Sequence, residues 1–301
     1  MSQNIWDINS IRDQKGKIAI VTGSSSGIGY ETARALAIKN ATVIVSVRNH
    51  KKGQDAVNKI KQQDDKADVT IMELDLASLD SVRKFADNFK KKYDRLDLLI
   101  NNAGVMVPPY SKTKEGFELQ FGTNHLGHFA LTGLLLDLLR ETPDSRIVNV
   151  SSTAHKMGDL NFEDLNWENR KYNKMKSYGD SKIANLYFTY ELQRRLSKKG
   201  NNPLVAASHP GWTATDLQRH TGFVNFLNTF FAQDAPMGAL PTLYAATAEN
   251  VKSGDYYGPD GFKEMKGYPA KVKPSELSKN PEIAEKLWNI SEELTGVKIN
   301  I

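Results

Sequence analysis

A tyrosine and a lysine four residues apart are the pair in this 301-residue chain whose types and spacing could move a proton. Tyr178 and Lys182 fall in a segment that predicts a helix, where this spacing places both side chains on one face. The ordinary pKa of the phenol, about 10, is too high for a good base at neutral pH. A neighbouring ammonium favours the phenolate and lowers that pKa. The pair therefore suits general acid–base chemistry, although such a pair on a helix also arises often by chance.

A glycine-rich turn between the first predicted strand and the first predicted helix is a second chemical signal. Its GxxxGxG spacing differs from the GxGxxG dinucleotide fingerprint, but glycine still lets a backbone turn tightly and approach a pyrophosphate. The following helix would direct its free N–H groups and positive dipole end at that phosphate. We predict cofactor binding here, against the alternative of a purely structural turn. The predicted residues are Gly23, Ser25, Ser26, Gly27, Ile28 and Gly29.

Short β-rich runs alternate with longer amphipathic segments along the chain. The predicted strands cover residues 17–22, 41–47, 69–74, 96–100, 146–150 and 204–208. The predicted helices cover residues 28–39, 52–63, 80–93, about 123–140, 178–199, 237–248 and 282–294. Repeated βα units with nearly continuous apolar strands imply an α/β fold, in which helices cover both faces of a parallel sheet. We expect one domain over residues 1–301, with a surface insert at 154–176 and a C-terminal extension at 271–301.

Further motifs follow the predicted strands in order. They are Asp75, the Asn101-Asn102-Ala103-Gly104 run, Ser151-Ser152 and the Tyr178-Gly179-Asp180-Ser181-Lys182 run. With the glycine turn, these motifs closely resemble the short-chain dehydrogenase/reductase family over roughly residues 15–260. The stretches 121–129 and 149–155 look like the retinol-dehydrogenase and WW-domain-oxidoreductase branch, and we expect no WW domain here. The resemblance implies a single Rossmann-type, doubly wound parallel sheet of order 3-2-1-4-5-6-7, with the site at the carboxyl ends of its strands.

The resemblance also implies a catalytic set of Asn124, Ser152, Tyr178 and Lys182. Tyr178 would give a proton to the carbonyl oxygen during reduction, and Lys182 would also hold the nicotinamide ribose. Ser152 would hydrogen-bond the substrate oxygen, with Ser151 as the alternative. Asn124 would break its helix and hold a water that links Lys182 to solvent. Ser152 precedes Tyr178 by 26 residues, about twice the usual family spacing, because the polar insert lies between them.

The remaining cofactor contacts come from the same resemblance. The backbone of Pro210 and Gly211 and the hydroxyl of Thr213 would contact the nicotinamide carboxamide. Asp75 would meet the adenine amino group beside Leu76. Residues Asn102, Ala103 and Gly104 would line the adenosine side, although the double asparagine also fits a simple turn.

The end of the second predicted strand indicates which nicotinamide cofactor is used. Folds that prefer NAD place an acidic residue there to bind the ribose hydroxyls. This chain has Val47 at that position and Arg48 after it. An arginine suits a 2′-phosphate through a charge-assisted contact. We therefore predict NADP(H), with stacking of Arg48 on adenine as the alternative.

By family position, residues 211–235 form a flap over the substrate. Their apolar residues at 223, 226, 227, 230 and 231 have helical spacing, which fits either ordinary core packing or an apolar wall that contacts substrate or membrane. The second reading predicts a small, lipophilic carbonyl or alcohol substrate. The competing function is a catalytically silent NADP-binding regulator, but the intact Tyr178 and Lys182 argue against it.

Composition limits the other possibilities. The chain has no cysteine, which excludes disulfides and thiolate metal sites, and the histidines at 125 and 128 lack a metal-type spacing, so we predict no metal. The net charge is +5, but its lysine clusters lack interleaved aromatic residues, so we predict solvated helix faces and no nucleic-acid partner. Neither an apolar signal segment nor a run of 18 apolar residues occurs, so we expect a cytoplasmic protein without a membrane span. Monomer and homodimer both stay open.

Overall fold

An eight-stranded sheet forms the centre of the protein in the computed structural model, which describes residues 5–197, 202–213 and 233–301. The strands are β1 (Ile18–Thr22), β2 (Thr42–Val47), β3 (Val69–Glu73), β4 (Leu98–Asn101), β5 (Arg146–Val150), β6 (Leu204–Ser208), β7 (Tyr256–Pro259) and β8 (Pro269–Lys271). Their order is β3-β2-β1-β4-β5-β6-β7-β8. The first seven pair in parallel, which confirms the predicted fold and order, and β8 adds an antiparallel edge.

Helices cover both faces of this sheet. They are α1 (Gly27–Ala37), α2 (His50–Gln63), α3 (Leu79–Lys92), α4 (Leu119–Phe121), α5 (Gly127–Glu141), α6 (Lys174–Leu196), α7 (Ala235–Thr247) and α8 (Pro281–Thr295). Successive side chains of a strand point to opposite faces. Ala19 and Val21 of β1 accordingly pack with α1, α2 and α7, whereas Ile20 packs with α3, α5 and α6. Both layers are apolar because both faces of the sheet are buried.

A π-helical segment, Gly122–Leu126, joins α4 to α5. The sequence pattern predicts an ordinary α-helix over about 123–140, whereas the structure begins this region with a wider, π-helical turn. Gly122 begins this segment and Gly127 follows it. Both glycines allow close packing, and a Cβ at Gly127 would lie 2.6 Å from the backbone oxygen of Leu76. Single π-helical turns occur often at functional sites, and this one holds Asn124.

The C-terminal residues complete the core on one face. Trp288 of α8 is buried, and its ring centroid lies 5.2 Å from that of Phe129 and 6.0 Å from that of Phe188. The guanidinium of Arg195 lies over the indole, 4.5 Å from its centroid. Val297 is buried in the same cluster. Helix α8 therefore packs on α5 and α6, so the C-terminal extension belongs to the core of the domain.

Candidate active site

A cavity of about 630 Å³ opens at the carboxyl ends of the parallel strands. Most of the predicted cofactor residues line it, namely Gly23, Ser25, Ser26, Gly27, Ile28, Gly29, Arg48, Leu76, Asn102, Ala103, Gly104, Tyr178, Lys182 and Pro210. Its lining also includes Ser151, which was the alternative to Ser152, and residues that were not predicted as site residues, namely Ser46, Val47, Asn49, Lys52, Leu74, Val105, Met106, Thr123 and Val150. The predicted residues outside the lining are Asp75, Gly211, Thr213, Asn124 and Ser152.

The glycine turn fits closely against the loop that follows β4. Gly23 and Gly27 have φ angles of +68° and +57°, which favour glycine. A Cβ at Gly23 would lie 2.9 Å from Ala103, and a Cβ at Gly29 would lie 2.5 Å from the Asn102 amide nitrogen. Side chains at these positions would therefore push the two loops apart. The first and third glycines therefore allow the turn to pack against this loop, whereas the motif predicted an approach to a pyrophosphate.

The N-terminus of α1 faces the cavity without a side-chain cap. Ser26 occupies the N-cap position but accepts no hydrogen bond from the helix, whereas Asn49 caps α2 and Ser78 caps α3. The first N–H groups of a helix need acceptors, and an anion can supply them. This end of the cavity therefore fits a phosphate group.

A threonine at the end of β1 connects the glycine turn to the loop after β4. The Thr22 hydroxyl oxygen accepts the N–H groups of Asn102 and Ala103, each at 2.9 Å. It also lies 2.9 Å from Nε2 of His128, whose Nδ1 is 2.9 Å from the backbone oxygen of Asn124. Thr22 and His128 thus connect the glycine turn to the π-helical segment. Sequence reasoning missed this role, because Thr22 reads only as the last residue of a strand.

Two cations border the end of the cavity beside β2. Arg48 and Lys52 both line it, and neither has a carboxylate partner among the residues that the structure describes. Asn49 lies between them in sequence, and its side-chain oxygen accepts the backbone N–H of Lys52 at 3.0 Å. The sequence pattern found Arg48 but not Lys52. Asp75 lies outside the lining, and its carboxylate accepts the N–H of Ala77 at 3.1 Å.

Tyr178 and Lys182 lie in α6, which begins one turn earlier than predicted. Asn173 caps the helix through the N–H groups of Met175 and Lys176, so Lys174 is its first residue. The Tyr178–Lys182 pair therefore lies within the formed helix and not at its first residue. The Lys182 ammonium donates to the backbone oxygen of Val150 at 3.1 Å and lies 5.7 Å from the centroid of the Tyr178 ring.

Burial sets the protonation of this pair. It raises the pKa of Tyr178 to about 12, while a hydrogen bond with Ser152 acts in the opposite direction. It also lowers the pKa of Lys182 to about 8. The direction for Tyr178 differs from the expectation drawn from spacing alone. Desolvation penalises the charged form of each group, so burial shifts both pKa values toward the neutral forms.

The two serines after β5 have different environments. The hydroxyl of Ser151 is buried and donates to the backbone oxygen of Lys182 at 2.8 Å. The hydroxyl of Ser152 is partly exposed, accepts the N–H of Ala154 at 3.2 Å and hydrogen-bonds Tyr178. Ser152 is therefore the serine whose hydroxyl lies beside the phenol.

Asn124 ties the π-helical segment to the loop after β4. Its Oδ1 accepts the N–H of Val105 at 2.8 Å, and its Nδ2 donates to the Val105 oxygen at 3.0 Å and to the Ser181 hydroxyl at 2.9 Å. A Cβ at Gly104 would lie 3.1 Å from Asn124 Oδ1 and 3.6 Å from Lys182 Nζ. The asparagine predicted to break its helix thus lies in a π-helical turn, close to the lysine.

The polar insert at 154–176 contacts the loop that borders the cavity. The Tyr172 hydroxyl donates to Glu118 at 2.8 Å and accepts from the Gln120 amide at 2.9 Å. The same Gln120 side chain accepts the N–H of Val107 at 2.8 Å. Val107 has a φ of +48°, so its conformation depends on such contacts. The insert therefore supports the residues that follow β4.

Histidines near the site are buried and neutral. Burial lowers the pKa of His125 to about 3 and that of His128 to about 4. Across residues 5–197, 202–213 and 233–301, no group of three or more His, Cys, Asp or Glu could hold a metal ion. Within the same ranges, no helix is long and apolar enough to cross a membrane.

The motifs and this geometry can be compared with known proteins. The family model for short chain dehydrogenase matches residues 17–222. The chain belongs to the short-chain dehydrogenase family. Human retinol dehydrogenase 13 is 42% identical over 294 residues, covering 94% of this chain and 86% of that protein. Mouse retinol dehydrogenase 12 is 41% identical over 288 residues, covering 94% of this chain and 87% of that protein.

Solved structures share the fold of this chain. An uncharacterized protein from Mycobacterium paratuberculosis is 40% identical with a TM-score of 0.84, covering 99% of this chain and 100% of its own. The Pseudomonas aeruginosa RhlG/NADP active-site complex is 24% identical with a TM-score of 0.65, covering 81% and 94%, and shows the fold alone. This short-chain dehydrogenase lies in the retinol-dehydrogenase-like branch, as the motifs predicted. It is an oxidoreductase of the alcohol/carbonyl class, in a family that binds a nicotinamide cofactor.

The loop after β6 carries the residues of this short-chain dehydrogenase that were predicted to contact the nicotinamide. Pro210 lines the cavity, and its backbone oxygen accepts the Thr213 hydroxyl at 2.7 Å. Gly211 has a φ of +65°. The predicted flap at 211–235 lies mainly outside the described residues, including its phenylalanines at 223, 226, 230 and 231 and its leucine at 227.

Proposed function

We propose that this short-chain dehydrogenase interconverts a carbonyl and an alcohol on a small lipophilic substrate, with NADP(H) as the hydride carrier. One observation carries the proposal: the Tyr178–Lys182 pair borders the same cavity as the glycine turn and the two cations beside β2. The acid–base group and the cofactor-binding end therefore belong to one site. Asn124 and Ser152 complete the proposed catalytic set.

The residues that line the cavity fit a phosphorylated dinucleotide. The uncapped start of α1 offers N–H donors to the pyrophosphate, and the loops at Gly23 and Gly29 leave no room for a side chain. Arg48 and Lys52 would hold the 2′-phosphate, since neither is neutralised by a carboxylate in the described part of the chain. Leu76, Asn102, Ala103 and Gly104 would line the adenosine side. A bound nicotinamide supplies or accepts the hydride.

The proton moves through Tyr178. In the reducing direction its hydroxyl donates a proton to the carbonyl oxygen as charge develops there, and in the oxidising direction the phenolate takes the proton back. Because burial keeps the phenol protonated at neutral pH, the side chain is ready to donate. The hydroxyl of Ser152, which is hydrogen-bonded to the phenol, would also hydrogen-bond the substrate oxygen. Lys182 stabilises the phenolate when the proton leaves, and also holds the ribose.

Asn124 fixes the wall of this site. Its side-chain amide hydrogen-bonds both backbone groups of Val105 and the Ser181 hydroxyl, so it connects the loop after β4 to α6. A Cβ at Gly104 would lie 3.1 Å from Asn124 Oδ1 and 3.6 Å from Lys182 Nζ, so Gly104 lies between the two side chains. Asn124 would hold the water that links Lys182 to solvent.

A lipophilic substrate agrees with two observations. Val105 and Met106 add apolar surface to the lining of the cavity beside the catalytic helix. The most similar curated relatives reported above carry the name retinol dehydrogenase, which denotes an extended apolar alcohol. The flap that would close over such a substrate, and the cytoplasmic location, stay predictions.

The deciding experiment measures NADPH and NADH oxidation with a panel of aliphatic, aromatic and polar carbonyls. We expect NADPH-dependent reduction that is faster for lipophilic carbonyls. Tyr178→Phe should lower kcat by roughly 10²- to 10⁴-fold, because the acid is lost while the ring packing is kept. Unchanged NADPH binding in this variant would show that the site is intact. A wild type that binds NADPH but reduces no carbonyl would favour the silent regulator.

A further inference from the structure

A loop after β7 has an unusual backbone. In the short 3-10 turn Phe262–Glu264, Lys263 and Glu264 have φ angles of +51° and +58°. Two consecutive residues other than glycine in this region are sterically unfavourable. Such strain persists only where surrounding contacts over-determine the conformation, and it clusters near functional sites. The contacts that hold Glu264 in place therefore bear on what the loop does.

The Glu264 carboxylate reaches a fully buried histidine. Its Oε2 lies 3.1 Å from Nε2 of His209, and its Oε1 lies 3.5 Å from the ammonium of Lys156. These two buried atoms are close but not aligned as a regular hydrogen bond, and neither has a hydrogen-bond partner elsewhere among the described residues. Each atom would be orphaned in the protein interior without the other. A buried polar atom that loses its partner carries a large desolvation penalty.

The other ring nitrogen of His209 fixes its tautomer. Nδ1 accepts the backbone N–H of Gly211 at 3.2 Å, so it must carry a lone pair. A neutral imidazole then has its proton on Nε2, the atom that faces Glu264. Burial lowers the pKa of His209, which keeps the ring neutral. The carboxylate thus stabilises the one tautomer that can hold Gly211.

The loop at 262–267 also contacts Trp212 and Gln233, which lie on either side of the segment 214–232. Trp212 donates its N–H to the oxygen of Met265 at 2.7 Å. On the other side, Gly267 donates to the side-chain oxygen of Gln233 at 3.2 Å, and the Gln233 amide donates to the oxygen of Pro210 at 2.7 Å. The loop at 262–267 is therefore joined to the segment that follows β6 at several points.

We propose that Glu264 is a positioning residue for the nicotinamide end of the cofactor site. By holding the proton of His209 on Nε2, it leaves Nδ1 to anchor Gly211, and so sets the Pro210–Gly211 backbone that faces the cofactor. This inference rests on the proposed function, in which those two residues contact the nicotinamide carboxamide. It assigns Glu264 no contact with substrate or cofactor.

The test separates the two ends of the cofactor. NADPH occupies the whole site, whereas 2′,5′-ADP occupies only the adenosine end, which Glu264 does not reach. Glu264→Met removes the acceptor at similar length, and Glu264→Gln keeps an acceptor without the charge. We expect Glu264→Met to weaken NADPH binding roughly 5- to 20-fold, while Glu264→Gln stays within about twofold to threefold of the wild type. Binding of 2′,5′-ADP should stay unchanged in both, and Glu163→Gln, at an exposed glutamate of the insert, is the control.

A double-mutant cycle adds a second readout. In His209→Asn the side-chain oxygen replaces Nδ1 as the acceptor for Gly211 and needs no proton held by Glu264. Adding Glu264→Met to this variant should then change the Kd of NADPH by less than about twofold. Independent, additive effects would overturn the proposal. So would equal losses for NADPH and 2′,5′-ADP, or a Glu264→Gln variant as impaired as Glu264→Met.

Folding and the proposed cofactor are controlled separately. If Glu264→Met does not fold, Glu264→Asp withdraws the carboxylate by one carbon and should weaken NADPH selectively; equal losses for both ligands there would overturn the proposal. If the wild type prefers NADH to NADPH, the proposed cofactor is wrong. The comparison is then made with NADH and AMP, so the role of Glu264 is tested whichever cofactor binds.

Discussion

Replacing Arg48 with alanine tests the cofactor assignment most directly. The side chain lines the cavity, is exposed and has no carboxylate partner in the described ranges of the chain. A charge-assisted hydrogen bond from such a group to a phosphate contributes about 1.5–2 kcal/mol, toward the low end because solvent screens it. At 1.4 kcal/mol for each factor of ten, Arg48→Ala should weaken NADPH binding by roughly 10- to 30-fold.

The measurement is a titration of NADPH and NADH against the wild type and each variant at low and high salt. NADH lacks the 2′-phosphate, so its Kd should change by less than about twofold in Arg48→Ala. Lys52→Ala should weaken NADPH by a smaller factor, and the loss should shrink as salt rises. Lys51→Ala is the matched control, because Lys51 is exposed on the same helix but does not line the cavity. Equal weakening of NADPH and NADH in Arg48→Ala would refute the phosphate role and favour stacking on adenine.

Further predictions concern the pair on α6, the glycine turn and the C-terminal helix. Burial lowers the pKa of Lys182 to about 8, so its ammonium is lost above that pH. The Kd of NADPH should therefore be constant below about pH 7 and rise above pH 8. In Lys182→Arg, whose charge does not titrate in this range, the Kd should not change with pH. Gly29→Ala places a Cβ 2.5 Å from the Asn102 amide, so it should lower the free energy of unfolding by about 1–3 kcal/mol and weaken NADPH binding, as measured by denaturant titration with and without cofactor. Trp288→Ala should lower the free energy of unfolding by about 3–5 kcal/mol, because the buried indole packs between α5 and α6; a change below about 1 kcal/mol would contradict that packing.

Local signals predicted the fold well because each belongs to one strand, helix or turn. Ser78, a residue type favoured as a helix N-cap, caps α3, where its hydroxyl accepts the N–H of Ser81 at 3.3 Å. The nearly continuous apolar runs of the strands predicted the parallel sheet. Strand β8 was missed because Pro269–Lys271 is short and has no apolar run. The start of α6 was missed because Asn173 caps it through a side-chain contact that lies outside the apolar pattern.

The parts of the site that depend on distant contacts could not be read from the sequence. Thr22 and His128 are 106 positions apart, yet they join the glycine turn to the π-helical segment. Likewise, Glu264 and His209 meet only because β6 and β7 are neighbours in the sheet. No local spacing marks either pair. Motifs therefore predicted which residues line the cavity better than they predicted which residues hold those in place.

The pKa of Tyr178 shows what residue spacing cannot predict, because it is raised where the spacing predicted a lowered value. Its spacing from Lys182 places both on one helix face, but spacing carries no information on burial, and burial is the larger effect on each group. The hydrogen bond from Ser152 is the contribution that lowers the pKa of the phenol. Ser152→Ala should therefore raise that pKa further and shift the alkaline rise of alcohol oxidation to higher pH, whereas Ser151→Ala should not. A pH profile that stays unchanged in Ser152→Ala would show that the serine does not tune the acid.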